Sequence, residues 1–127
     1  MKQLEKPSLL TDAILPYWIN GWLNLLYNWI RGKSKYKKVT TTYTVEDNDF
    51  YIEADATTGA FTVTLLPATS VIEKEYIIKK TDVSANAVTV DGNGTNIDGT
   101  STASLATQWT AISVKSNGTI WHIIAQI

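Results

Sequence analysis

DATTGAFTV (Asp55–Val63) and DVSANAVTV (Asp82–Val90) share one nine-residue pattern, Asp-x-Ser/Thr-x-Gly/Asn-Ala-x-Thr-Val, set 27 residues apart. Such a repeat marks either a duplicated binding site or a duplicated piece of architecture, and the residue types favour architecture. In each copy a polar turn leads into a strand that begins Ala-x-Thr-Val. Gly59 and Asn86 occupy matching places and are the residue types that best tolerate left-handed backbone angles. Asp55 and Asp82 are placed to accept hydrogen bonds from the backbone of the turns they open.

Working outward, a two-residue period runs from Val39 to the end of the chain. Phe61, Val63 and Leu65 alternate with Thr62 and Thr64, the signature of a strand with one buried and one wet face. The same reasoning places strands at Val39–Val45, Phe50–Ala54, Ala60–Leu65, Glu75–Lys80, Ala87–Asp91, Thr102–Leu105, Trp109–Lys115 and Thr119–Ile127. Asn117-Gly118 reads as a tight hairpin turn between the last two. The expected fold is mainly β: an N-terminal amphipathic helix followed by an antiparallel β-sandwich or jelly-roll-like domain.

The 127 residues suit one domain with an appendage, and 44% apolar with 18% charged residues excludes a disordered or fibrous chain. There is no cysteine, so no disulfide, thiolate nucleophile or cysteine metal site exists. The formal charge of −1 conceals a division. Residues 1–38 carry seven basic residues against Glu5 and Asp12, a net of +5; residues 39–127 carry four lysines against ten carboxylates, a net of −6. Two parts are therefore expected: residues 1–38 as an anchoring or oligomerisation helix with a basic hinge, and residues 39–127 as the β domain.

The stretch Asp12–Gly32 has a helical period. Leu15, Trp18, Trp22, Leu25 and Trp29 fall at alternating spacings of three and four, the rhythm of a packed helix seam. Ile19, Leu26 and Ile30 widen the stripe, while Asn20, Asn24, Asn28 and Arg31 gather opposite it. Thr11 or Asp12 suits the helix start, Pro16 an early turn and Gly32 the end. The order of charge and apolarity is not that of a secretory signal, and the asparagines interrupt a membrane span. An interfacial helix and burial against protein remain, the second favoured because three tryptophans form a large apolar load. The basic stretch Gly32–Lys38 reads as a solvated hinge rather than a nucleic-acid contact, since no second basic cluster follows.

Catalytic patterns are thin, and no enzymatic activity and no cofactor are expected. His122 is the sole histidine and sits in the strand-like TIWHIIAQI. A zinc or facial-triad site lacks ligands, and no Gly-x-Ser-x-Gly elbow supports a triad. The loop Asp91–Gly99 begins like a calcium loop, but Asn96 stands at its sixth position and Thr102 at its twelfth, where glycine and glutamate are required.

The succession ADATTGAFTVTLLPATS, EYIIKKTDVSANAVTVDGNGTNIDGT and QWTAISVKSNGTIWHII resembles, across residues 43–127, a β module of tailed-bacteriophage structural proteins. Tail fibres, tail spikes and head fibres or decorations are its members. The resemblance implies a virion location after synthesis in the host cytoplasm, a trimer, other virion proteins of capsid or tail as partners, and attachment through the N-terminal segment. With no long shaft or separate tip, a small head fibre or decoration is the expected form. Two further readings stand beside it. One is a module binding a host-surface glycan, with Trp109, Trp121 or Tyr76 stacking on sugar; the other is a membrane-active protein working through Trp18, Trp22 and Trp29.

Overall fold

The computed structural model describes residues 17–32 and 35–127. It is mainly β, with two mixed sheets and one α-helix, α1 (Tyr17–Gly32). The expected first turn of that helix, residues 12–16, lies outside the described residues.

The strands are β1 (Lys35–Val39), β2 (Tyr43–Thr44), β3 (Asp49–Ala54), β4 (Phe61–Thr64), β5 (Glu75–Lys80), β6 (Val88–Asp91), β7 (Thr102–Leu105), β8 (Ala111–Ser116) and β9 (Trp121–Gln126). One sheet has the order β1-β3-β5-β8-β9 and the other β2-β4-β6-β7. The first six strands alternate between sheets, so the chain winds in three coils: β1 with β2, β3 with β4, and β5 with β6. After each crossing the chain returns in its earlier direction, which makes β1, β3 and β5 parallel and β2, β4 and β6 parallel. Only β7, β8 and β9 add antiparallel edges.

This overturns the antiparallel, jelly-roll-like expectation. Alternation of apolar residues identifies a buried face but not the direction of the neighbouring strand. The 27-residue spacing of the repeated phrase is the length of one coil: Phe61 pairs with Val88 and Val63 with Val90. Inward side chains from both sheets form one core. Ile52, Ile78, Tyr76 and Val114 of the larger sheet meet Val63, Val88, Val90 and Leu105 of the smaller one. Each fully buried Val, Leu or Ile contributes about 1.5–3 kcal/mol of transfer energy.

The two copies of the phrase open alike. Asp55 Oδ1 accepts the Thr57 N–H at 3.1 Å, and Asp82 Oδ1 accepts the Ser84 N–H at 3.0 Å. Their surroundings then differ. Asp55 is half-buried beside Lys38, whereas Asp82 is buried, and its Oδ2 accepts the Ala56 N–H of the preceding coil at 2.7 Å. Asn86 does not take a left-handed angle. Its side chain instead donates to Ala56 O at 2.8 Å, tying coil to coil.

Lys80 sits in the same inward column as Ala54 and Val39 and is 0% exposed. Its ammonium donates to Asp82 Oδ1 at 2.6 Å and to Asp82 O at 3.2 Å. Burial is the largest influence on the Asp82 carboxyl and opposes its charge. The bonds from Lys80, Ser84 and the Ala56 N–H together outweigh it and hold that carboxyl well below the usual carboxylate range.

Three local readings change. The segment Val39–Val45 is two strands, because the chain leaves one sheet after Val39 and enters the other at Tyr43. The lysine stretch expected as a hinge supplies β1, which begins four residues before the expected start of the β domain. Strand β1 is a sheet edge, where lysines are well solvated and discourage pairing with foreign strands. The β8–β9 connection spans residues 117–120, and only Gly118 has positive φ (88°). Asn117 acts through its side chain, with Oδ1 accepting the Thr119 and Ile120 N–H groups at 2.9 Å each.

The position of β1 makes a testable statement about the domain boundary. A fragment of residues 33–127 is expected to unfold cooperatively. Residues 39–127 should be less stable by at least about 2 kcal/mol, having lost most of the β1 ladder to β3 and leaving Val39 at a free chain end. Urea denaturation of the two fragments measures the difference, and equal midpoints would remove β1 from the folding unit.

Candidate functional site

Exposed large side chains mark two surfaces, one on the helix and one on the larger sheet. In α1, Trp18, Trp22 and Leu25 are 72%, 61% and 71% exposed, while Ile19 and Leu23 are half-buried. The three exposed side chains share one face, as their spacings of four and three require. Leu15 and the Trp29 side chain, the other two members of the expected seam, lie outside the described residues. No helix among the described residues is long and apolar enough to cross a membrane.

The three aromatic residues considered for sugar stacking separate sharply. Tyr76 and Trp121 are fully buried, with ring centroids 5.6 Å apart, and neither presents a face to solvent. Their strand alternation points them inward, which rules them out as stacking platforms. Trp109 is 55% exposed.

Trp109 stands at one end of an open groove of about 620 Å³ on the outer face of the larger sheet, where its strands turn towards the smaller one. The pairings Lys38 to Glu53 and Glu53 to Lys79 place alternating charges in one row across β1, β3 and β5. Tyr51 and Asp55 complete this side of the groove. Lys38 Nζ lies 3.6 Å from Glu53 Oε1 and 3.5 Å from Asp55 Oδ2. The Tyr36 hydroxyl donates to Glu53 Oε2 at 2.5 Å, and the Lys79 ammonium lies 5.6 Å from the Trp109 ring centre.

These contacts set the ionisation of the groove. The Tyr36 hydroxyl bond is the largest influence on Glu53 and, with Lys38 and Thr81, holds it below its ordinary value. The Thr57 hydroxyl and N–H do the same for Asp55, again with help from Lys38. Burial pushes the Tyr51 hydroxyl up, and the bond to Glu53 pushes the Tyr36 hydroxyl up. At neutral pH the groove therefore offers carboxylate acceptors beside neutral phenols.

The remaining chemical candidates sit elsewhere. His122 is half-exposed, with Nδ1 3.6 Å from Asp98 Oδ1 and Nε2 3.1 Å from Asn117 Nδ2. Ser116, on the neighbouring strand, is buried and turns inward, donating to Ala68 O at 2.7 Å rather than to the histidine. The loop Asp91–Gly99 folds onto the core through Ile97, and Asp91 Oδ1 accepts the Asn93 N–H at 2.7 Å. Among the described residues no group of three His, Cys, Asp or Glu side chains is arranged to hold a metal ion.

Sequence reasoning found Trp109 but not Tyr51, Glu53, Asp55 or Lys79 beside it. Their convergence depends on coil-to-coil register, for which the repeated phrase was the one available signal. No protein-family model matches the chain, and no curated protein matches it.

Proposed function

We propose that this chain is a structural protein of a tailed-bacteriophage virion, a trimeric head fibre or decoration or a small tail-fibre or spike component, attached through its N-terminal helix. The observation that carries the reading is the exposed stripe of Trp18, Trp22 and Leu25 on α1. An apolar face of this kind gains stability when covered by protein, and closed cyclic symmetry lets copies cover one another. The trimer number rests on the sequence resemblance across residues 43–127, which also supplies the virion and its capsid or tail proteins as partners. In this reading α1 docks or trimerises and the coiled β domain projects outward.

Light scattering of the full chain at several concentrations is expected to report three copies. Trp22→Asp should shift the chain towards monomer while leaving its β-sheet circular dichroism unchanged. The chain should also be found at fixed stoichiometry in purified particles. A wild-type chain that stays monomeric at high concentration and is missing from particles would overturn the proposal.

A further inference from the structure

We propose that the groove beside Trp109 binds a neutral saccharide, the indole stacking on the apolar face of a sugar ring and the Glu53 and Asp55 carboxylates accepting its hydroxyls. This goes beyond attachment and does not depend on it.

Trp109 has a strained backbone. Its φ is 68°, a left-handed angle that is a genuine outlier for a bulky side chain. Burial does not repay the strain, because more than half of the residue is exposed. The turn is nevertheless tightly held. Trp109 N–H donates to Lys80 O at 2.8 Å, Lys80 N–H donates to Thr110 O at 2.9 Å, and Gln108 Nε2 donates to Thr81 O at 3.1 Å. An indole kept in solvent at conformational cost, on a fixed turn, is already organised for stacking, which lowers the entropy lost on binding.

The charges of the groove are paired. Lys38 lies between Glu53 and Asp55, so the groove's charges largely offset one another and favour an uncharged, hydroxyl-rich ligand over an anion. The carboxylates accept, while Lys38 and Lys79 supply donors at the rim. The groove's openness suits a chain of sugars lying along the sheet rather than an enclosed small molecule.

The test uses the full chain on an array of neutral, sialylated and sulfated oligosaccharides, followed by saturation-transfer NMR with the neutral glycans retained. Neutral glycans should be captured with little dependence on salt. Trp109→Gly should weaken that binding by about tenfold or more, the loss of an aromatic stack, while its melting temperature stays level or rises as the strained angle is relieved. Trp109→Phe should keep part of the binding, and Glu53→Gln should weaken it. Retention of no neutral glycan would overturn the site, as would salt-sensitive capture of sulfated or sialylated glycans only. A Trp109→Gly chain that binds normally, or melts much lower than wild type, would also overturn it, the latter by making the indole structural. A particle-bound trimer that captures no sugar would sink this proposal and leave attachment standing.

Discussion

Asp82→Ala is expected to remove about 3–5 kcal/mol of folding stability, because it leaves the Lys80 ammonium fully buried without its carboxylate. The same change orphans the Ala56 N–H of the preceding coil, so the damage spans two coils. Lys80→Met should cost less. It removes the cation but leaves Asp82 with the Ala56 and Ser84 donors, and it places an apolar chain of similar length in the inward column. Urea denaturation of both variants and of the double variant measures the coupling. Equal losses from the two single changes would show that the pair, rather than the buried ammonium, sets the cost.

The same carboxyl gives stability a defined response to acid. Asp82, Glu53 and Asp55 are all held below their ordinary values in the folded chain. The unfolded chain therefore takes up protons first as pH falls. The contribution of these groups is fully present above about pH 5 and is lost as pH falls through their folded values. Asp82→Asn should flatten the acid limb of the stability curve at its lowest end, where the most depressed carboxyl titrates.

Trp121→Ala is expected to destabilise the chain by about 3–5 kcal/mol, the range for emptying a large aromatic site in a core. Beyond its volume, Trp121 ties β9 to the connections that follow β4 and β6. Its indole N–H donates to Leu66 O at 3.1 Å, its backbone N–H donates to Asn96 O at 2.8 Å, and its carbonyl accepts the Asp98 N–H at 2.8 Å. Trp121→Phe retains much of the ring but loses the indole bond, and should cost about 1–3 kcal/mol. Denaturation midpoints and the near-ultraviolet signal of the Tyr76–Trp121 pair report both changes. A loss below about 1 kcal/mol for alanine would mean that the site collapses freely.

Strand positions were largely legible in the sequence, since the alternation in FTVT marks a buried face directly, although EYIIKK buries Lys80 and turns Ile77 outward. The Asx turns at Asp55 and Asp82 were legible too, because they are local. Strand direction was not, because it depends on where a connection delivers the chain rather than on side-chain order. The same gap hid the groove, whose carboxylates and lysines come from separate coils. Tyr76 and Trp121 were misread as candidate platforms because an aromatic residue in a strand carries no mark of which face it joins. Trp109 differs in lying on a turn just before β8, where neither sheet covers it.

The winding of β1 to β6 also bears on how such a chain can change length. Parallel coils stack by translation, each touching mainly the coils before and after it. A whole coil duplicated between β4 and β5 would meet on either side the surfaces it was copied from, whereas a single residue added inside a strand would turn every later side chain to the wrong face. Growth is thus graded in whole coils at the interior and closed at one end by β7 and β8, which run against β6 and β5, with β9 added beyond β8. The architecture has a ruler built into it, with the repeated phrase as its graduation mark.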